Sequence, residues 1–172
     1  VGMDKVMAKV VFAYHNLPQG QFLAFTRNEW RQDESEWIQK LETNFTYPVF
    51  VKPANLGSSV GISKAKNQAE LIEAIHFATR FDSKIIVEEF IDGRELEIGV
   101  LGNEQLRTSV VGEIVSANEF YDYDAKYKDH STTLHIPASI PEHVAVEMAQ
   151  LAKRAFKALD CSGLCRVDFF WD

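Results

Sequence analysis

Cysteine is scarce in this sequence: Cys161 and Cys165 are the two cysteines among its 172 residues. Two are too few for a disulfide framework, and a closed structural zinc site needs four ligands. We expect both thiols to be reduced, as in a cytoplasmic protein. Because small thiols are common in protein cores, we interpret the pair as core residues in preference to a metal or redox site.

Long apolar runs and a basic excess are also lacking. No stretch has the roughly 20 apolar residues that cross a bilayer, and the first residues lack the basic-then-apolar pattern of a signal peptide. Lysine and arginine number 18 against 25 aspartates and glutamates, which gives a formal net charge of −7. Since nucleic-acid surfaces are usually basic, we expect neither a membrane nor a nucleic acid as partner. A few cations that converge in one cleft can still bind phosphate.

One segment does carry a distinctive pattern. Residues 49–51 are an apolar run typical of a short buried strand, which ends at Lys52. Residues 57–61 follow, with two glycines around two hydroxyls, and can bring backbone N–H groups close to an anion. In a P-loop the lysine follows the glycines and a helix begins there, whereas here the lysine comes first and a second strand is expected. The pattern suits a polyphosphate; a plain Gly/Ser hairpin with a surface lysine is the alternative.

Apolar spacing predicts both helices and strands elsewhere. Asp4 is predicted to cap a helix that ends near Asn16, and Asn67 is predicted to cap another. Residues 27–41 are predicted to form a single amphipathic helix. The other predicted elements are strands at 22–25, 84–87, 95–101, 106–115 and 164–170, and a last helix from Pro141.

Charged residues end one predicted strand and share a face of another. Glu88 and Glu89 precede a turn, a position that commonly lies at the rim of a ligand cleft. Arg166 and Asp168 are two residues apart on a strand, so their side chains point to the same side. Each pattern has a plain alternative, because the glutamates can be solvated edge charges and the second pair can be a satisfied ion pair.

The segment 120–131 is aromatic and charged but shows no clear periodicity. A structureless loop of this length inside a compact domain is usually functional or disordered. Its three tyrosines favour a lid over a site.

Together these segments strongly resemble the D-alanine–D-alanine ligases of the ATP-grasp superfamily. The resemblance follows the family's order along the whole chain. The matching segments are 3–5, 51–53, 57–61, 87–91, 93–95, 120–127 and 166–168. It implies an α+β fold of the ATP-grasp type with two α+β lobes, residues 1–92 and 93–172, and a nucleotide bound between them.

The resemblance also implies a reaction. ATP phosphorylates one D-alanine carboxylate to an acyl phosphate, and the amine of a second D-alanine displaces the phosphate. The product, D-alanyl-D-alanine, enters peptidoglycan precursors. The cofactors would be ATP and Mg²⁺, with Mn²⁺ as an alternative metal, and the parent enzyme would be a cytoplasmic homodimer.

Individual residues acquire roles from the resemblance. Lys5 and Lys52 would contact the α- and β-phosphates beneath a flap that contains Ser58 and Ser59. Glu88 would accept a hydrogen bond from the adenine amino group. The remaining nucleotide-binding residues would be the backbone of Glu89 and Ile91 at the ring, Phe90 beside them, and Glu95 at the ribose.

The lid and the last strand would supply the chemistry. Lys126 would approach the transferred γ-phosphate, and Tyr127 would close the lid by hydrogen bonding toward Ser58. Arg166 would stabilise the tetrahedral oxyanion, and Asp168 would bind Mg²⁺. Family members that make D-alanyl-D-lactate typically carry histidine at the Tyr127 position, so Tyr127 favours an amine nucleophile.

The chain also departs from the family. A further metal carboxylate and the asparagine after it have no counterpart before Asp172, and the family's preceding domain is missing. We therefore expect a fragment that binds nucleotide but is inactive alone. The alternatives are another ATP-grasp carboxylate–amine ligase, which the tyrosine-rich lid disfavours, and a non-catalytic nucleotide-binding module.

Overall fold

The computed structural model describes residues 1–115 and 133–172. The chain divides into two compact units, residues 1–9 with 19–90 and residues 10–18 with 91–172. The helices are α1 Lys5–Tyr14, α2 Arg27–Gln32, α3 Glu34–Asn44, α4 Gln68–Ala78 and α5 Glu142–Ala158. The strands are β1 Phe22–Thr26, β2 Val49–Pro53, β3 Ser63–Ala65, β4 Lys84–Glu89, β5 Arg94–Gly102, β6 Arg107–Thr108, β7 Gly112–Val115, β8 Thr133–His135 and β9 Gly163–Trp171. Within these ranges, none of the helices combines the length and apolar character that a membrane span requires.

The first unit is an antiparallel sheet in the order β1-β4-β2-β3. Alternate residues of β2 and β4, such as Val51 and Val87, are fully buried on the face that α2, α3 and α4 cover. The opposite face carries Lys52 and Glu88, because side chains alternate along a strand. A one-residue slip in register would move the charges into the core, so burial of the first face determines where the charges lie.

Two helix caps predicted from the sequence are confirmed. Asp4 accepts hydrogen bonds from the N–H groups of Val6 and Met7 at 3.0 and 3.1 Å, at the start of α1. Asn67 accepts one from the N–H of Glu70 at 3.0 Å, at the start of α4. These side chains satisfy backbone donors that the first helical turn leaves without a partner.

The prediction of one helix over residues 27–41 is wrong. The segment forms α2 and α3, separated by Asp33, whose φ of −153° lies outside the helical region. The Asp33 carboxylate accepts a hydrogen bond from the N–H of Glu36 at 2.8 Å and so begins a new helix. Trp30 and Leu41 are nevertheless buried, as the amphipathic pattern predicts.

The second unit is a sheet in the order β6-β5-β7-β8, with β9 paired to β5 along its whole length. One face of β5 packs against α5; this core includes Leu96, Ile98, Met148 and Phe156. The single strand predicted over residues 106–115 is wrong, because β6 and β7 are separate. Between them Ser109 bonds to Gly99 through its backbone N–H and its hydroxyl, at 2.9 Å each, which interrupts the regular ladder.

Candidate nucleotide site

A charged cluster lies on the face of the first sheet opposite the helix-covered core, with Glu88 at its centre. Lys52 donates a hydrogen bond to Oε2 of Glu88, and Nζ of Lys9 lies 3.5 Å from Oε1. The Glu88 side chain is 13% exposed. Burial alone would raise the pKa of Glu88, but the two lysines outweigh it and hold the pKa below its usual value. Glu88 is therefore an ionised carboxylate between two ammonium groups, and the solvated-edge alternative is wrong for this residue.

Lys5 joins this cluster from the start of α1. Its Nζ donates hydrogen bonds to the carbonyl oxygens of Pro53, at 3.1 Å, and of Leu56, and its backbone N–H donates to that of Ala54 at 2.9 Å. Burial lowers the pKa of Lys5, and the positive charge of Lys52 lowers it further. The structure thus brings together three of the predicted residues, Lys5, Lys52 and Glu88.

Lys9 is a member that the sequence analysis missed. The signal was its position four residues after Lys5, since residues i and i+4 share a helix face. Lys9 and Lys52 contact one carboxylate, and Lys5 interacts electrostatically with both Lys52 and Glu88, so the cluster has a surplus of positive charge. Such a surplus on a partly buried face suits an anionic ligand such as a phosphate chain.

Aromatic rings flank the lysines. The rings of Phe50 and Phe90 lie 6.2 Å apart between centroids, and Nζ of Lys64 lies 4.1 Å above the Phe90 ring. Lys64 was also missed; its place opposite Phe50 in the β2–β3 pairing could not be known without the register. An apolar ring beside cations suits a flat heterocycle that carries phosphates.

Glu89 lies on the other face of β4. Its Oε1 accepts a hydrogen bond from the N–H of Gln21 at 2.6 Å, and its own N–H donates to the Gln21 carbonyl at 3.2 Å. Together with Phe90 and residues 42–48, these groups line a cleft of about 370 Å³. The Glu89 side chain thus secures the end of β4.

The loop of residues 57–61, called the flap from here on, contains a tight turn. The N–H of Val60 donates to the carbonyl of Gly57 at 3.1 Å, and the two residues between them, Ser58 and Ser59, have φ values of 52° and 58°. This is the type I′ pattern, in which both central residues are left-handed. The sequence analysis expected the glycines to form the bend, but the two serines adopt the left-handed conformation at its centre. Of the two glycines, Gly61 has a positive φ, of 74°.

The second unit carries the other predicted cluster, on the face of β9 and β5 away from the core. Arg166 binds Asp168 through two parallel hydrogen bonds of 2.7 and 2.9 Å, and its third nitrogen lies 2.9 Å from Oε2 of Glu97. Hydrogen bonding to Asp168 raises the pKa of Arg166 despite burial, with smaller contributions from Glu97 and Glu95. The ion-pair alternative is therefore confirmed. Glu97, opposite Asp168 in the register, was missed.

Asp168 is the residue predicted to bind Mg²⁺. Each oxygen of Asp168 accepts one hydrogen bond from Arg166, and the side chain is about half exposed, so Asp168 keeps acceptor capacity but is one carboxylate alone. Across residues 1–115 and 133–172, no three histidine, cysteine, aspartate or glutamate side chains are grouped so that they could hold a metal ion. The described residues alone do not fit Mg²⁺. Lys126 and Tyr127 lie in 116–132, outside the described residues.

Comparison with known proteins identifies the family. A profile of the family described as "D-ala D-ala ligase C-terminus" matches residues 11–172. The chain belongs to this family. The D-alanine–D-alanine ligase of Acetivibrio thermocellus is 53% identical over 170 residues, which cover 99% of this chain and 45% of that protein. The ligase of Bacillus velezensis is 52% identical over 169 residues, with 98% and 48% covered.

Solved structures of the ligase family share the α+β fold. The VanG D-Ala:D-Ser ligase from Enterococcus faecalis superposes with a TM-score of 0.86 at 36% identity, covering 98% of this chain and 48% of that one. The D-alanine-D-alanine ligase from Coxiella burnetii gives 0.76 at 31% identity, with 98% and 43% covered. The chain therefore spans about half the length of its relatives in the ligase family.

We predict that Gly61→Ala destabilises the first unit while Gly57→Ala does not. A Cβ at Gly61 would lie 2.7 Å from Pro53 and 2.8 Å from Phe81, and its φ of +74° is unfavourable for alanine. A Cβ at Gly57 meets nothing within 4 Å. We expect Gly61→Ala to cost at least about 1–2 kcal/mol, seen as a lower melting temperature in calorimetry. Equal melting temperatures for the two variants would contradict the close packing.

We predict that Glu88→Gln lowers stability at pH 7 by about 1–3 kcal/mol, because it removes a charged hydrogen-bond acceptor. The free energy of unfolding of this variant should also fall less in acid than that of the unmodified chain. The pKa of Glu88 is lower in the folded state, so its contribution is complete above the unfolded pKa of about 4.3 and is lost as the pH falls through the folded value. Denaturant melts between about pH 3 and pH 7 measure this. Glu73→Gln, at an exposed position of α4, is the control and should follow the unmodified chain.

Proposed function

We propose that this chain is the nucleotide-binding part of a ligase that joins two D-alanines at the expense of ATP. The observation that carries the proposal is the cluster of Lys9 and Lys52 at Glu88 with Lys5 nearby. It occurs in a chain whose sequence is about 50% identical to D-alanine–D-alanine ligases. The reaction forms an acyl phosphate on one D-alanine, and the amine of the second displaces phosphate. The dipeptide would serve peptidoglycan synthesis in the cytoplasm, where ATP is available.

The lysine cluster supports the phosphate role. Lys52 is held in place by Glu88, so it is positioned before any ligand arrives and little side-chain entropy is lost on binding. Lys5, anchored on the carbonyls before the flap, presents a second cation, and we assign these two to the α- and β-phosphates. On binding, the ammonium group of Lys52 would exchange the Glu88 carboxylate for a phosphate. Both groups are good hydrogen-bond acceptors for an ammonium group.

We assign the other residues by family membership. Ser58 and Ser59 belong to the flap above the phosphates. Glu88 with the backbone of Glu89 and Ile91 would recognise adenine, Phe90 would lie against it, and Glu95 would bind ribose. Lys126 would approach the γ-phosphate, and Tyr127 would close the lid. Arg166 would stabilise the tetrahedral oxyanion, and Asp168 would bind the metal. The lobes would be residues 1–92 and 93–172, with the nucleotide between them.

ATP with Mg²⁺, or Mn²⁺, is the cofactor set that the family implies. In such a reaction the metal would neutralise charge on the phosphates. Asp168 supplies one carboxylate, so further ligands would have to come from outside the described residues. We propose a homodimer for the whole protein, as in the parent family.

The second substrate, whose amine attacks the acyl phosphate, has one specific alternative to D-alanine. The solved structure with a TM-score of 0.86 is a D-Ala:D-Ser ligase, so D-serine is the second candidate acceptor. D-alanine is favoured because the curated relatives at about 50% identity are D-alanine–D-alanine ligases. Both acceptors attack through an amine, in line with Tyr127.

We predict that Lys52→Ala weakens binding of Mg·ADP to this chain roughly 10- to 100-fold, the equivalent of one charge-assisted hydrogen bond. Lys157→Ala, at an exposed position in the last turn of α5, is the control and should bind like the unmodified chain. Titration calorimetry well below the melting temperature measures both. Equal affinities would remove the phosphate assignment of Lys52.

For the full-length protein we predict phosphate release from ATP that depends on D-alanine and is faster with D-alanine than with D-serine as acceptor. Tyr127→His should shift the product ratio from dipeptide toward D-alanyl-D-lactate when D-lactate is supplied. Phosphate assays and mass spectrometry of the product measure this. Binding of Mg·ATP without any phosphate release would favour the non-catalytic nucleotide-binding module.

A further inference from the structure

The turn between α4 and β4 contacts the chain at both ends of the flap. On the entry side, Oδ2 of Asp82 accepts hydrogen bonds from the backbone N–H and the side-chain amide of Asn55, at 2.8 and 2.9 Å. On the exit side, Gly61 lies so close to the Phe81 ring that a Cβ would come within 2.8 Å of it. Two consecutive residues therefore hold both ends of one loop.

Asp82 is itself firmly held. Its Oδ1 accepts a hydrogen bond from the N–H of Lys84 at 3.2 Å, and its carbonyl accepts one from the Arg27 guanidinium at 3.0 Å. Burial would raise the pKa of Asp82, but the bonds from Asn55, Lys84 and Ser83 outweigh it and lower the pKa. The carboxylate is thus ionised near neutral pH and acts as a fixed acceptor.

The first residue of β4, which follows this turn, also fixes the backbone that Lys5 uses. The N–H of Ala54 donates to the Lys84 carbonyl at 2.9 Å, and the Ala54 carbonyl accepts from the N–H of Lys5 at 2.9 Å. The Lys84 side chain in turn pairs with Asp4, the cap of α1. The chain before the flap and the nearby Lys5 are therefore both held by contacts with the start of β4.

We propose that Asp82 is a positioning residue that fixes the hinge of the flap, at Asn55, so that the flap can close over a nucleotide polyphosphate without its base moving. We assign Asp82 no contact with the nucleotide itself; it acts through Asn55. The inference rests on the proposed nucleotide function for its purpose. The hinge contact itself is independent of that function.

An aspartate suits this position better than its amide. Both carboxylate oxygens of Asp82 accept, Oδ2 from Asn55 and Oδ1 from Lys84. In Asp82→Asn one of those oxygens becomes an NH₂ group that faces a donor, so the hydrogen bond from either Asn55 or Lys84 is lost. Asn55→Ala removes only the side-chain bond on the flap side and leaves every contact of Asp82 with its own turn, which makes it the variant less prone to unfold.

The test combines local hydrogen exchange with nucleotide binding. In the free chain, we expect Asn55→Ala and Asp82→Asn to raise amide exchange in residues 55–61 about threefold to tenfold, as for the loss of one or two hydrogen bonds. Exchange in α4 and β4 should be unchanged. Asn28→Ala, at an exposed position of α2, is the control and should match the unmodified chain. Unchanged exchange in the flap, or a uniform rise across residues 1–9 and 19–90, would overturn the proposal.

The second arm measures the dissociation rate of Mg·ADP by stopped flow. If the hinge positions the flap, both variants should release Mg·ADP about threefold to tenfold faster than the control. Equal release rates would overturn the positioning role even where flap exchange had risen. Failure of the unmodified chain to bind Mg·ADP at all would instead count against the proposed nucleotide function, and the exchange arm would still decide whether Asp82 holds the hinge.

Discussion

The contact between Glu88 and its two lysines is the constraint on which the first unit depends. A carboxylate that is 13% exposed must be compensated, and Lys52 and Lys9 provide the compensation from a neighbouring strand and a helix. The same contact holds the lysines close together in spite of their mutual repulsion. A stable ion cluster and a ready anion site are thus two consequences of one arrangement, and β2 and β4 must keep their register for either to exist.

Around this cluster the structure separates rigid from adjustable parts. The sheet and helices of the first unit are tied by a continuous apolar core. The flap instead protrudes from the sheet through a type I′ turn whose two serines adopt left-handed backbone angles. Strain of this kind persists only where surrounding contacts over-determine the conformation. The turn before β4 supplies contacts at both ends of the loop, from Asp82 to Asn55 and from Phe81 to Gly61.

Two local signals were readable from the sequence, at helix starts where one side chain decides the outcome. Asp4 and Asn67 cap helices because each needs only its own side chain and the next turn. The breaks at Asp33 and Ser109 were not predicted. Both side chains interrupt a regular element by bonding to backbone, which apolar spacing does not reveal. Lys64 and Glu97 could not be assigned without the strand register. Lys9 shares a helix face with Lys5, but its place beside Glu88 required the contact between helix and sheet.

By itself the sequence determined the family, the type and order of most helices and strands, and the charged residues at the strand ends, because these follow from short-range pattern and from motif order. The tertiary structure alone decided which charges meet. Glu88 pairs with Lys52 and Lys9, and Asp168 pairs with Arg166 and lies opposite Glu97. The reason is physical: charge interactions fall off with distance and depend on burial, and both are properties of packed elements that no linear spacing contains.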